Sequence, residues 1–153
     1  MDRLTRNQRS LLMSKVRQRG TDIELAIAQE LRLRGYRFRR NVRGLAGSPD
    51  LVFAPEKLAI FVDGDFWHGY NYPRWRHKIQ PFWRDKIETN RRRDQKNFRR
   101  LRRAGWRVVR LWQHEIEGDL VGCLQRITAR LIESRARKAY GSSTHKEGFS
   151  PSN

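Results

Sequence analysis

The stretch that most restricts what this chain can fold into is residues 48–68, SPDLVFAPEKLAIFVDGDFWH. Two apolar runs, residues 51–54 and 58–63, flank Pro55, Glu56 and Lys57 and read as two strands joined by a tight turn. Asp50 stands at the mouth of the first run, directly after Pro49, and the second run leads into Asp63, Gly64, Asp65, Phe66, Trp67 and His68. Two strands joined this way deliver carboxylates and an imidazole to neighbouring ends, and a rigid scaffold bearing such groups suits a metal-dependent active site. Side chains alternate along a strand, so Leu58, Ile60 and Val62 face one way and Ala59, Phe61 and Asp63 the other. Asp63 is then either at an exposed strand end or a functional carboxylate.

The flanking segments supply helices to cover these strands. Gly20 interrupts the N-terminal region, and Thr21 with Glu24 forms a T-x-x-E capping box ahead of Ile23, Ile27 and Leu31. This predicts a helix over residues 22–34, stopped by Gly35. On that evidence alone Glu24 is a capping carboxylate before it is a catalytic one. Upstream, residues 6–19 are basic but carry Leu11, Leu12, Met13 and Val16, as a short helix or a DNA-holding arm would. Residues 36–42 alternate aromatic and basic side chains like a half-exposed strand, and residues 69–81 read as a surface loop bearing aromatics. A long helix follows over residues 82–104, ended by Gly105. Its stripe of Trp83, Ile87, Asn90, Asp94, Phe98 and Leu101 turns Asp94 inward, where a carboxylate needs a partner. A strand over residues 106–112 and a helix over 120–132 close the pattern. The expected division is a basic N-terminal arm or short helix (1–19), a domain (20–138) and a disordered tail (139–153). The fold class is α/β, a sandwich of a small mixed sheet flanked by helices.

Charge narrows the partner. The 153 residues carry a net charge of +18, and a basic chain that folds commonly meets a polyanion, because neutralised phosphates release counterions. Between residues 84 and 103, ten Lys and Arg, Arg91 and Arg92 among them, stand against only Asp85, Glu88 and Asp94. Such a surface suits tracking phosphates better than mere solvation. No apolar run reaches spanning length, so a membrane is a poor alternative. Cys123 is the single cysteine, which excludes an intrachain disulfide and any zinc site built on several thiolates. The N-terminus lacks the apolar core of a secretory signal, and a cytoplasmic location is expected.

Pro49-Asp50 ahead of one strand and acids ending the next suggest phosphodiester cleavage by the nuclease fold with the P-D…(D/E)-x-K signature. Asp63-Gly64-Asp65 stands in the expected place without the lysine, and His68 is close enough in sequence to act as base instead. Further segments agree in order: Met13-x-x-Val16, Thr21-x-x-Glu24, Ile60-Phe61-x-x-Gly64-x-Phe66-Trp67-His68, Phe82-Trp83-x-x-Lys86-Ile87, Asn90, Arg93-Asp94 and Gly105-Trp106-Arg107-Val108. Together they resemble the very-short-patch-repair (Vsr) mismatch endonucleases, a divergent branch of that restriction-endonuclease-like fold.

The resemblance implies a Mg²⁺-dependent enzyme that nicks the T-containing strand of double-stranded DNA at a T:G mismatch left by deamination of 5-methylcytosine. It implies a monomer, working beside mismatch-repair proteins and a cognate cytosine methyltransferase. Asp50 is then the metal-binding aspartate and Val62 the residue whose backbone carbonyl also ligates metal. His68 becomes the general base, with Glu24 and Asp94 completing the polar cluster. Phe66, Trp67 and Trp83 correspond to an aromatic wedge inserted beside the mismatch, where a mispaired step is cheap to unstack. For Trp67 and Trp83, core packing remains a competing role. At the family's structural zinc positions this chain has Asp65, Tyr70, Tyr72 and His114. The expectation is no zinc, with an Asp65–His114 contact and tyrosine packing in its place. Two other readings stay open: a Vsr-like nuclease for unmismatched sites in restriction, homing or defence, and a catalytically silent DNA-binding module.

Overall fold

The computed structural model describes residues 5–143. Its first element, α1 (Arg6–Leu33), is one continuous 28-residue helix, which corrects the expected break at Gly20. The capping box lies at the true start: Thr5 Oγ1 accepts from the Gln8 amide at 3.2 Å, and the Gln8 side chain accepts from the Thr5 amide at 2.8 Å. Thr21, inside the helix, donates its hydroxyl back to the Arg17 carbonyl at 3.1 Å. A helical glycine costs only about 1 kcal/mol, too little to break a helix whose second half is anchored in the core by Ile23, Ile27, Ala28 and Leu31.

Four strands form one sheet in the order β1-β2-β3-β4: β1 (Arg39–Arg40), β2 (Leu51–Phe53), β3 (Leu58–Asp63) and β4 (Arg107–Trp112). The first three form an antiparallel meander, with Leu51 opposite Ile60 and Phe53 opposite Leu58. β4 runs parallel to β3, pairing Phe61 with Arg110 and Asp63 with Trp112. A parallel neighbour requires a crossover, and α3 (Pro81–Arg103) supplies it. β1 is shorter than the expected 36–42 strand because Tyr36 and Phe38 pack their rings against Phe53 rather than extending the ladder. The supposed loop 69–81 contains a short helix, α2 (Tyr72–Trp75), and a 3₁₀ turn at Arg76–Lys78.

The sheet has two unequal faces. On one, Leu51, Phe53, Leu58, Ile60, Val109 and Leu111 pack with α1 and with Leu124, Ile127 and Leu131 of α5 (Leu120–Ser143). A short helix, α4 (Gln113–Gly118), joins β4 to α5 and buries Ile116 in that core. On the other face Ala59 and Phe61 meet Phe98 and Leu101 of α3. The stripe read from the sequence is thus the inward face of α3. α5 outruns the expected 120–132 helix and continues through the start of the supposed tail. Arg135 bonds Glu56 at 3.2 Å and Lys138 bonds the Pro55 carbonyl, so its last turns are fastened to the β2–β3 turn. Residues 144–153 of the expected tail lie outside the described residues. No described helix is long and apolar enough to cross a membrane.

Candidate active site

Antiparallel pairing places the start of β2 beside the end of β3, and parallel pairing brings the end of β4 to the same edge. Asp50 therefore meets the β3 terminus: its Oδ2 accepts from the Val62 amide at 2.6 Å. The carboxyl is largely withdrawn from water, with this amide as its one hydrogen-bonded partner among the described residues. Burial, reinforced by the nearby charges of Glu24 and Asp63, pushes its pKa up to about 7.

Asp63 is buried at 6% exposure, which decides between its two sequence-level roles against a solvated strand end. It shares the α3 face of the sheet with Phe61, and there it joins His68, Asp94 and Arg110. His68 Nδ1 lies 2.7 Å from Asp94 Oδ2, and His68 Nε2 lies 3.5 Å from Asp63 Oδ1. Arg110 bridges the two acids, with Nη2 at 2.7 Å from Asp94 Oδ2 and Nε at 2.7 Å from Asp63 Oδ2. The second contact is ionic rather than a well-aligned hydrogen bond, because neither Nε nor Oδ2 finds a properly directed partner. Burial raises the Asp63 carboxyl, with His68 and Arg110 pulling back. Burial also depresses the His68 imidazole, but the Asp94 hydrogen bond and the Asp63 charge outweigh it and leave the ring above its ordinary value.

The segment bearing His68 is held to the scaffold by its backbone. The His68 amide donates to the Gly64 carbonyl at 3.2 Å, and Asn90 Nδ2 of α3 donates to the Trp67 carbonyl at 3.0 Å. Glu24 does not cap a helix. It accepts from Arg40 Nη2 at 2.9 Å and stands close enough to raise the Asp50 carboxyl.

Two cations in this constellation, Arg110 and Arg40, escaped the sequence reading. A signal existed for Arg110: in RVVRLW it shares one face of the strand with Val108 and Trp112, and a charge among such side chains needs a partner. The strand's apolar sequence suggested a central place, but β4 is the edge of the sheet. Arg40 gave no such signal, being one of a run of alternating arginines.

Phe66, Trp67 and Trp83 do come together. Ring centroids are 4.9 Å apart for Phe66–Trp67 and 5.5 Å for Trp67–Trp83, and Phe66 remains 40% exposed. Trp75, not foreseen, stacks on Phe66 at 5.6 Å with the rings 18° from parallel. Between these rings and the first half of α1 run two open clefts. One, of about 390 Å³, is bordered by Met13, Val16, Gly20, Gly64, Trp67 and His68. The other, of about 310 Å³, reaches Leu12, Met13, Phe66, Lys78 and Trp83. Arg92 is exposed on α3, whereas Arg91 is half-buried with its guanidinium 5.0 Å from the Tyr72 ring.

Two donor sets are candidates for a divalent cation. Asp63, His68 and Asp94 present ligand atoms within 4.8 Å of one another, but Arg110 already neutralises both acids. The Asp50 side fits a hard cation better: a carboxyl pushed up by burial, beside the further carboxylates of Glu24 and Asp63. At the expected zinc positions, Asp65 Oδ1 lies 2.7 Å from His114 Nδ1, and the Tyr70 ring stands 4.3 Å from the His114 ring. Tyr72 is elsewhere. It is buried and donates its hydroxyl to Glu88 at 2.8 Å, so the expected tyrosine pair reduces to Tyr70.

The sequence profile of the family described as DNA mismatch endonuclease Vsr matches residues 1–74. A type II nicking enzyme of Neisseria meningitidis serogroup C, V.NmeDIP, is 38% identical over 83% of this chain and 88% of its own length. The chain belongs to the Vsr endonuclease family. A second type II nicking enzyme, V.XorIIP of Xanthomonas oryzae pv. oryzae, is 42% identical over 75% of this chain and 86% of its own. The DNA mismatch endonuclease Vsr of Escherichia coli is 33% identical, over 82% and 81% respectively. A Vsr-family chain of this kind is an endonuclease with DNA as substrate, and the helix-flanked mixed sheet is the α/β fold expected of it.

Proposed function

We propose that this Vsr-family endonuclease nicks one strand of duplex DNA at T:G mismatches by Mg²⁺-dependent hydrolysis, with His68 as general base. The observation carrying the proposal is the convergence of Asp50, Asp63, His68 and Asp94 at one end of the sheet, beside an aromatic cluster facing a cleft. Asp94 accepts from Nδ1–H of His68, which fixes the ring and leaves Nε2 to take a proton. Asp63 then stands beside the imidazolium that forms, and Arg110 holds both carboxylates in place. Mg²⁺, held by Asp50 and the Val62 carbonyl with Glu24 nearby, would supply Lewis-acid stabilisation of charge on the attacked phosphate.

DNA enters between the first half of α1, residues 6–19, which serves as the basic arm, and the rings of Phe66, Trp67 and Trp83. A mismatched step yields to such rings at lower unstacking cost than a paired one. A second reading, nicking of unmismatched sites, is favoured by the type II nicking enzymes among the relatives, whose names specify no mismatch. A strand-specific assay on matched and T:G duplexes with Mg²⁺ separates the two. Cutting confined to the T strand of the mismatch is expected; equal cutting of matched duplex moves the assignment to the second reading, and no cutting of either refutes both.

A further inference from the structure

Arg91 is the one half-buried arginine of α3 whose setting resembles a prepared site rather than a solvated face. Its aliphatic stem lies against Gly69, where a Cβ would stand 2.7 Å from Arg91 Cδ and 3.0 Å from Ile87 Cγ2. Gly69 has φ +70°, a conformation glycine adopts without strain. The guanidinium rests over the Tyr72 ring at 5.0 Å, and it makes no ion pair with any described residue. An arginine fixed along its stem, stacked at its head and lacking an acid partner has already lost the rotamer freedom that anion binding would cost.

Arg91 lines an open cleft of about 240 Å³ beside His68, whose other polar walls are Tyr70, Asn71, Gln95 and Arg110. No carboxylate lines it. Asp63 and Asp94, which are not among its lining residues, are both bound to Arg110. The amide groups of Asn71 and Gln95 are exposed and have no hydrogen-bond partner among the described residues, so both can donate into the cleft. Sign of charge and donor supply match a tetrahedral oxyanion.

We propose that this cleft is a phosphate subsite, in which Arg91, aided by Asn71 and Gln95, grips a DNA backbone phosphate next to the scissile one and so sets the register of the strand past His68. It rests on the nicking reading for its ligand, though the binding chemistry stands on the cleft itself. Arg91 is a positioning residue here, since it reaches His68 only through the substrate.

The test is a scan of single neutral methylphosphonates through the strand on each side of the nick, with wild type and Arg91→Gln. Wild type should lose roughly tenfold in nicking at one position. Arg91→Gln should lose roughly the same factor on unmodified DNA, mainly in KM, and lose nothing further at that position. Its salt slope of binding should fall by about 1, with Arg91→Lys intermediate because a point charge replaces the fork. An Arg91→Gln enzyme that senses every methylphosphonate as wild type does would overturn the subsite and leave the nicking reading intact. If wild type nicks no duplex, titration with inorganic phosphate decides. A shift of the Gly69 amide resonance in wild type that is lost in Arg91→Gln supports the subsite, and no shift overturns it.

Discussion

Asp50 is the residue whose situation says most about how the metal-free protein behaves. Its carboxyl titrates near 7 in the fold, against 3.8 for the free side chain. Between about pH 4 and 7 the folded protein therefore holds a proton that the unfolded chain has given up, and metal-free stability falls as pH rises through that window. Asp63 and His68, both also raised, act in the same direction. Thermal melts in chelator should show a Tm several degrees lower at about pH 8 than at about pH 5. Mg²⁺ should restore the loss in wild type, while Asp50→Asn should show a smaller pH effect and no response to Mg²⁺. Arg110 makes a second residue-level prediction. Arg110→Met leaves Asp63 and Asp94 without their shared cation and should cost about 3 kcal/mol of stability, read from urea denaturation. It should also blunt nicking, whereas replacing an exposed arginine such as Arg99 should do neither.

For catalysis itself, His68→Ala should lower nicking by at least about 100-fold with DNA binding kept. In wild type the rate should climb with pH through the raised imidazole pKa, since the neutral ring is the base. A flat pH profile would remove His68 from that role. Asp50, His68 and Asp94 were legible because strand ends and one helical stripe place them by arithmetic. Arg110 and Arg40 were not, since among so many basic residues a partnered arginine looks like any other until its acid is seen.

At the scale of elements, the misreading of α1 is instructive. Gly20 and the Thr21–Glu24 pattern are both genuine stop-and-start signals, yet a helix is extended by packing more than by propensity, and the anchored second half carries the first across the glycine. Nothing lies within 4 Å of where a Gly20 Cβ would sit. Gly20→Ala should therefore stabilise the protein by about 0.5–1 kcal/mol, measurable as a higher denaturation midpoint. If nicking slows while the midpoint rises, flexibility at Gly20 is used in admitting DNA. Strands β2, β3 and β4 were readable because their apolar runs are short and bounded. β1 was over-read because an aromatic alternation satisfies the strand pattern even where the rings fold onto the sheet instead of pairing along it.

For the whole molecule, charge governs encounter and geometry governs outcome. With a net charge of +18, DNA binding should weaken steeply with salt, by about 0.9 in log affinity per log unit of salt for each phosphate neutralised. Matched and mismatched duplexes should share nearly the same slope, because the discrimination proposed here lies in the aromatic cluster rather than in phosphate contacts; titration of both across a salt series tests this. Unequal slopes would mean that mismatch recognition recruits additional basic residues.

The parallel strand β4 has a consequence for the newborn protein. Asp50, Asp63, His68 and Asp94 all leave the ribosome before Arg107–Trp112, and the cation that locks Asp63 and Asp94 arrives only with that strand. Parallel pairing across a long crossover is slow to form, so a partly synthesised chain carries every acid and base of a nuclease with no frame to align them. A chain ending after α3 should therefore bind DNA loosely and cut nothing, with the power to break a strand acquired late, on completion of the fold.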